Sequence, residues 1–373
     1  MSSSALDLFL ELAAIPSPPG EERRVADRVL GELDDLGLGW DEDDAGSRIG
    51  STMGNILCRL PGRAAGGVPL FLCAHLDTVP LAGALEPVVE DGVVRNAGGT
   101  ILGADNKSAV VVMLEAARRI VGENRPHAGV ELLFTPMEEV GLLGALAFDV
   151  GRLEARLGYV YDQAAPIGDV VVGSPSAQEL ELRFHGRASH AGMYPEDGRS
   201  AVLAAARAIA DMPLGRVDEL STANVGVVRG GTARNVVPEW CELEAEVRSH
   251  DSGRVTALVQ QLVDAAAFAA TISDCTLETK IEPKYQGYRF ASDHPAVQLA
   301  VDALGRAGVE ARLGLSGGAA DANVFNVRGL SCVNLANGMI DIHTPDERIA
   351  VDDLERMVDV TLALVDVARD ADR

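Results

Sequence analysis

From residue 68 onward the chain alternates short apolar runs with longer stretches of helical period, and that alternation restricts it to an α/β architecture. Residues 68–74 and 130–135 have the length and composition of buried strands, 107–122 carry a helical pattern, and 158–161 are strand-like again. Between 173 and 290 the grammar changes. Residues 178–184 alternate as a half-exposed strand, 198–211 form an Ala-rich helix, 223–229 and 240–248 are strands, 255–270 a helix and 275–281 a strand. That order, βαββαβ, is the ferredoxin-like split motif and can close as an α+β domain of its own. After 290 the first pattern returns, with helices over 295–306 and 351–369 and a strand over 331–335. The expectation is a discontinuous main domain, 1–172 plus 291–373, interrupted by an inserted ferredoxin-like domain at 173–290.

Charge removes one class of function. Lys and Arg total 32 against 56 Asp and Glu, for a net charge of −24, and no basic cluster exists to follow a nucleic-acid backbone. The N-terminal residues lack the positive region of a secretory signal, and apolar runs such as 109–114 are far shorter than a membrane span. Cys58, Cys73, Cys241, Cys275 and Cys332 are odd in number and show no CxxC spacing, so free thiols in a reducing, cytoplasmic setting are expected.

The chemistry lies in scattered acids and histidines. His75-Leu-Asp77 follows a predicted strand, and residues i and i+2 of an extended chain share a face, so Asp77 can orient a metal-bound His75. Asp105, in Gly103-Ala-Asp105-Asn-Lys107, precedes a helix. It fits either an N-cap or a carboxylate bridging two cations. Glu138 and Glu139 follow a strand and, being adjacent outside a helix, point in different directions: Glu139 suits a ligand and Glu138 a general base. Asp162 ends a strand, where α/β proteins place their chemistry, and His343 lies in a loop before the last helix. No Gly-Lys-Ser/Thr follows the glycines at 98, 99 and 103, which argues against a phosphate loop.

Together His75-Leu-Asp77, Gly103-Ala-Asp105-Asn106-Lys107, Pro136-Met-Glu138-Glu139-Val-Gly141, Asp162 and His343-Thr-Pro345 resemble the M20 metallopeptidases, most closely the peptidase T-like (tripeptide aminopeptidase) branch. Ser17-Pro-Pro-Gly-Glu-Glu and the insertion extend the likeness over nearly the whole chain. The resemblance implies a mixed-sheet, zinc-exopeptidase-like catalytic domain with an inserted lid that can also form a homodimer. It implies two divalent ions, Zn2+ with Mn2+ or Co2+ as alternatives. His75 and Asp162 would hold one ion and Glu139 and His343 the other, with Asp105 between them, Asp77 orienting His75 and Glu138 as base and acid. It also implies a cis peptide after Asp105, and substrate contacts from His190, Asn235, Arg248 and the Gly-rich loop containing Gly318.

The expected activity is hydrolysis of small peptides, most simply by a tripeptide or dipeptide aminopeptidase, without nucleic-acid or membrane partners. An N-acyl amino acid deacylase or desuccinylase, or a carboxypeptidase, would use the same ligands. A non-catalytic metal-binding protein is the rival from another class.

Overall fold

The computed structural model describes residues 5–64 and 66–371. The chain divides into two compact units, one ending at Gly173 and resuming at Arg289, the other Ser174–Tyr288.

The first unit is built on a nine-stranded mixed sheet. Its centre is four parallel strands in the order Val130–Thr135, Leu70–His75, Leu157–Gln163, Ser331–Ala336. Antiparallel strands flank them, Ile56–Leu60 on one side and Asp169–Ser174 on the other. Leu70–His75 reads Leu-Phe-Leu-Cys-Ala-His and is buried throughout, as a strand covered on both faces must be. Leu70, Leu72 and Ala74 join the main core with helices Ala104–Gly122 and Val351–Asp370. Phe71, one residue out of step, points the other way and meets Phe325 of the helix Asp321–Val327 edge-on, with ring centroids 5.3 Å apart. Each such buried Leu or Phe contributes roughly 1.5–3 kcal/mol.

Gly158 is paired with Phe71 on the neighbouring strand, and a Cβ there would fall on the Phe71 ring. Gly158→Ala is therefore expected to destabilise the protein by about 1–3 kcal/mol through overpacking. A urea melt with an unchanged midpoint would show that the ring has room to move.

A small antiparallel sheet joins Arg348–Ala350, Val93–Asn96 and Pro87–Glu90. Its strands are short, and it brings the segment after His343 beside the segment before Asp105.

In the second unit the strands lie in the order Gly215–Asp218, Ser221–Gly230, Trp240–Ser249, Ser176–His185, Thr276–Tyr285, all antiparallel to their neighbours. Without the short first strand this is the ferredoxin-like arrangement. Leu180, Leu182, Phe184, Leu243 and Val247 alternate onto one core with helices Ala201–Asp211 and Ser252–Ile272. Ser200 and Asp251 cap those helices by accepting backbone N–H groups.

Ser252–Ile272, 21 residues long, is apolar enough to cross a membrane by length and composition alone. Here Val255, Leu258, Val259, Leu262, Ala266, Ala269 and Ala270 are buried in the unit's core.

Candidate metal centre

All four parallel strands of the large sheet deliver their carboxyl ends to one place. His75 ends its strand, Glu138 and Glu139 follow Thr135, and Asp162 is the penultimate residue of its strand. The fourth strand supplies Asn334, which grips Asp162 from both sides. Its Oδ1 accepts from the Asp162 N–H at 2.9 Å, and its amide donates to the Asp162 carbonyl at 3.1 Å.

Asp105 lies between two groups of donors. Its Oδ1 is 3.2 Å from His75 Nε2, which stands 3.8 Å from Asp162 Oδ1. Its Oδ2 is 3.2 Å from His343 Nε2, itself 3.0 Å from Glu139 Oε1. Donors around a tetrahedral ion bound at 2.0–2.2 Å are separated by about 3.3–3.6 Å. The observed separations bracket that range, and carboxylate with imidazole is the donor chemistry that suits zinc, manganese or cobalt. The residues therefore fit a pair of divalent cations sharing Asp105. A further grouping places a Glu138 oxygen, a His75 nitrogen and a Glu139 oxygen within 4.8 Å of one another. Glu138, 8 % exposed, thus borders the pair.

The backbone around these side chains is constrained. Asp105 is not the helix cap: Gly103, at φ 76°, holds that position, and the Asp105–Asn106 peptide is cis as the resemblance implies. Met137, just before the two glutamates, and His343 both take positive φ (55° and 63°), turns that set their neighbours' directions. Asp77 organises two loops at once. Its carboxylate accepts from the Glu138 and Glu139 N–H groups at 2.9 and 3.1 Å. The closer partner of His75 Nδ1 is the Asp77 carbonyl, at 2.9 Å, with Oδ1 at 3.5 Å. Asp77 thus orients His75 mainly through its backbone, while its carboxylate anchors the glutamate loop.

Charge crowding shifts the ionisation of the cluster. Burial opposes charge on Asp105, yet hydrogen bonds from His343 and His75 outweigh it and hold the carboxyl below its ordinary range. Burial, then repulsion from Asp105, pushes Asp162 up to about 8. His343 rises to about 10 because Asp105 and Glu139 both lie against Nε2. Burial, then repulsion from Asp162, raises Glu138 well above the usual carboxylate range.

The remaining candidates are placed as follows. Gly318 lies in the first unit, and its N–H donates to Ser316 Oγ at 3.1 Å. His190, Asn235 and Arg248 lie in the second. His190 Nδ1 accepts from the Gly192 and Met193 N–H groups, each at 3.2 Å, so a neutral ring carries its hydrogen on Nε2. Asn235 is beside it, its carbonyl accepting from the Ala191 N–H at 3.0 Å. Arg248 is forked onto Glu246 through two 3.0 Å bonds.

The family model for peptidase family M20/M25/M40 matches residues 71–367. The chain belongs to peptidase family M20. This M20 peptidase is a metallo-exopeptidase and resembles the aminopeptidase PepT of Bacillus cereus, at 35 % identity with 98 % of each chain covered and a TM-score of 0.91. A tripeptidase of Staphylococcus aureus matches at 33 % identity, again with 98 % of each chain covered, and a TM-score of 0.94. The Bacillus subtilis protein YqjE is 36 % identical over 97 % of the M20 chain and 98 % of its own length.

Two residues that hold the centre together were not singled out from the sequence. Asn334 interrupts an otherwise apolar strand, a buried polar residue that has to find partners. Glu347 stands four residues after His343 and is 1 % exposed, which no local pattern reveals.

Proposed function

We propose that this M20 peptidase is a di-zinc aminopeptidase of small peptides, tripeptides or dipeptides, working in the cytoplasm and able to pair through its lid domain, residues 173–290. The observation that carries the metal reading is Asp105, with one carboxylate oxygen toward His75 and Asp162 and the other toward His343 and Glu139. The aminopeptidase reading rests on the likeness to PepT and to the tripeptidase. Five free cysteines, four of them buried, are consistent with a reducing compartment.

In this reading His75 and Asp162 would hold one ion and Glu139 and His343 the other, with Asp105 shared between them. Bound there, two cations would polarise a water and the scissile carbonyl. Glu138 takes a proton from the attacking water as its oxygen bonds to the carbonyl carbon. The same carboxyl then returns that proton to the leaving amine nitrogen. Asp77 keeps Glu138 in reach by holding its backbone N–H. His190, on the other unit, would donate its Nε2 hydrogen to the developing oxyanion once closure, or a dimer partner, supplies it. Asn235, Arg248 and the loop at Gly318 position the substrate, Arg248 by exchanging Glu246 for a substrate carboxylate.

A free tripeptide and its N-acetylated counterpart, assayed side by side, test the substrate class. Cleavage of the free tripeptide alone is expected, abolished by chelator and restored by zinc. Cleavage of only the acetylated compound would move the same chemistry to an N-acyl amino acid deacylase.

A further inference from the structure

Two of the ligand segments are tied to each other by a residue that touches no candidate ion. Glu347 is buried and follows His343 by four positions. Its Oε2 accepts from the Leu102 and Gly103 N–H groups at 2.8 and 2.9 Å, and its Oε1 accepts from the Asp105 N–H at 2.9 Å. Three donors thus converge on one carboxylate, and the last belongs to the bridging residue itself. The chain on either side is joined as well, because Arg348, Ile349 and Ala350 pair with Arg95, Val94 and Val93. The turn of positive φ at Asp341 and His343 is therefore fixed from its far end to the loop that presents Asp105.

We infer that Glu347 is a positioning residue that sets the affinity of one cation position, the one formed by Asp105 Oδ2, Glu139 and His343. The inference rests on the two-cation reading above. The reason is geometric. Two of that position's three donors, His343 and Asp105, sit on segments clamped by Glu347. The other position takes His75 and Asp162 from strand ends, and only Asp105 connects it to the clamp. Loosening Glu347 should therefore act unequally on the two ions. A glutamine is nearly isosteric but offers one acceptor oxygen, and its amide N–H groups would face backbone N–H donors. Asp keeps the charge and shortens the reach by one methylene, so it can hold only part of the set.

Cobalt(II) titration of metal-free protein, followed by calorimetry and by the visible absorption of bound cobalt, tests this without reference to turnover. Wild type should take up two equivalents. Glu347→Gln should bind one equivalent as wild type does and the other about tenfold or more weaker, within the about 10–100-fold range for residues that hold metal ligands in place. Glu347→Asp should weaken the same equivalent by less, and it carries the comparison should the Gln variant fail to fold. His343→Ala should keep one equivalent, and adding Glu347→Gln to it should leave that equivalent nearly unchanged. Equal weakening of both equivalents, or none in either Glu347 variant, would overturn the inference. Fewer than two equivalents in wild type would instead overturn the two-cation reading and the inference with it.

Discussion

Glu138→Ala should lower kcat by about 10²–10⁴-fold while both equivalents of metal remain bound, the span that general acid–base catalysis usually supplies. At 1.36 kcal/mol per factor of ten this is about 2.7–5.4 kcal/mol of barrier. The separation of the two effects follows from the site. Glu138 borders the cluster, whereas the two donor groups that share Asp105 do not include it. Its buried carboxylate lies within reach of the cluster, where it can accept a proton from the attacking water and return it to an amine. Removing its carboxylate leaves Asp77 free to keep the loop in place, since Asp77 binds the Glu138 backbone N–H and not the side chain. Metal analysis beside steady-state kinetics makes the check. A variant within tenfold of wild type would take Glu138 out of its role, and a variant without metal would make it a ligand.

Asp105→Ala should strike harder at metal. Both donor groups lose an oxygen at once, and the remaining pairs, His75 with Asp162 and His343 with Glu139, are too few to hold an ion tightly. The expected result is loss of at least one equivalent and of measurable turnover. Stability should report the same event. A ligand present at 100 times its dissociation constant stabilises the native state by about 2.7 kcal/mol. Wild type should therefore melt at a clearly higher temperature in zinc than in chelator, and Asp105→Ala should show much less of that difference. A variant that keeps the full zinc-dependent shift would mean that Asp105 bridges nothing.

How much of this was readable in advance depends on the range of the interactions involved. Strands 130–135 and 70–75 are buried throughout and mostly apolar because both faces are covered, and that pattern is local, so it shows in the sequence. The helix 351–370 and the βαββαβ order of the second unit announce themselves in the same way. His75, Glu138, Glu139 and Asp162 were found because they follow strands directly, so that locating a strand end locates the residue. The small sheet was missed, since Arg348–Ala350 is only three half-buried to buried residues whose partners lie about 250 positions earlier. Glu347 and Asn334 were missed for the same reason. Their roles are defined by backbone groups 242–245 and 172 residues away, and an isolated acid or amide gives no hint of which N–H groups it will meet. The resemblance identified donors because family motifs record side chains that recur. What holds the donors still is written in contacts that only the folded chain makes.

In the two-cation reading Asp105 stands between the ions, and anomalous scattering at the zinc edge from crystals of the zinc-loaded protein locates them. The expected map has two peaks about 3.5–4 Å apart, one beside each Asp105 oxygen. A single peak, or two peaks that Asp105 does not bridge, would contradict it.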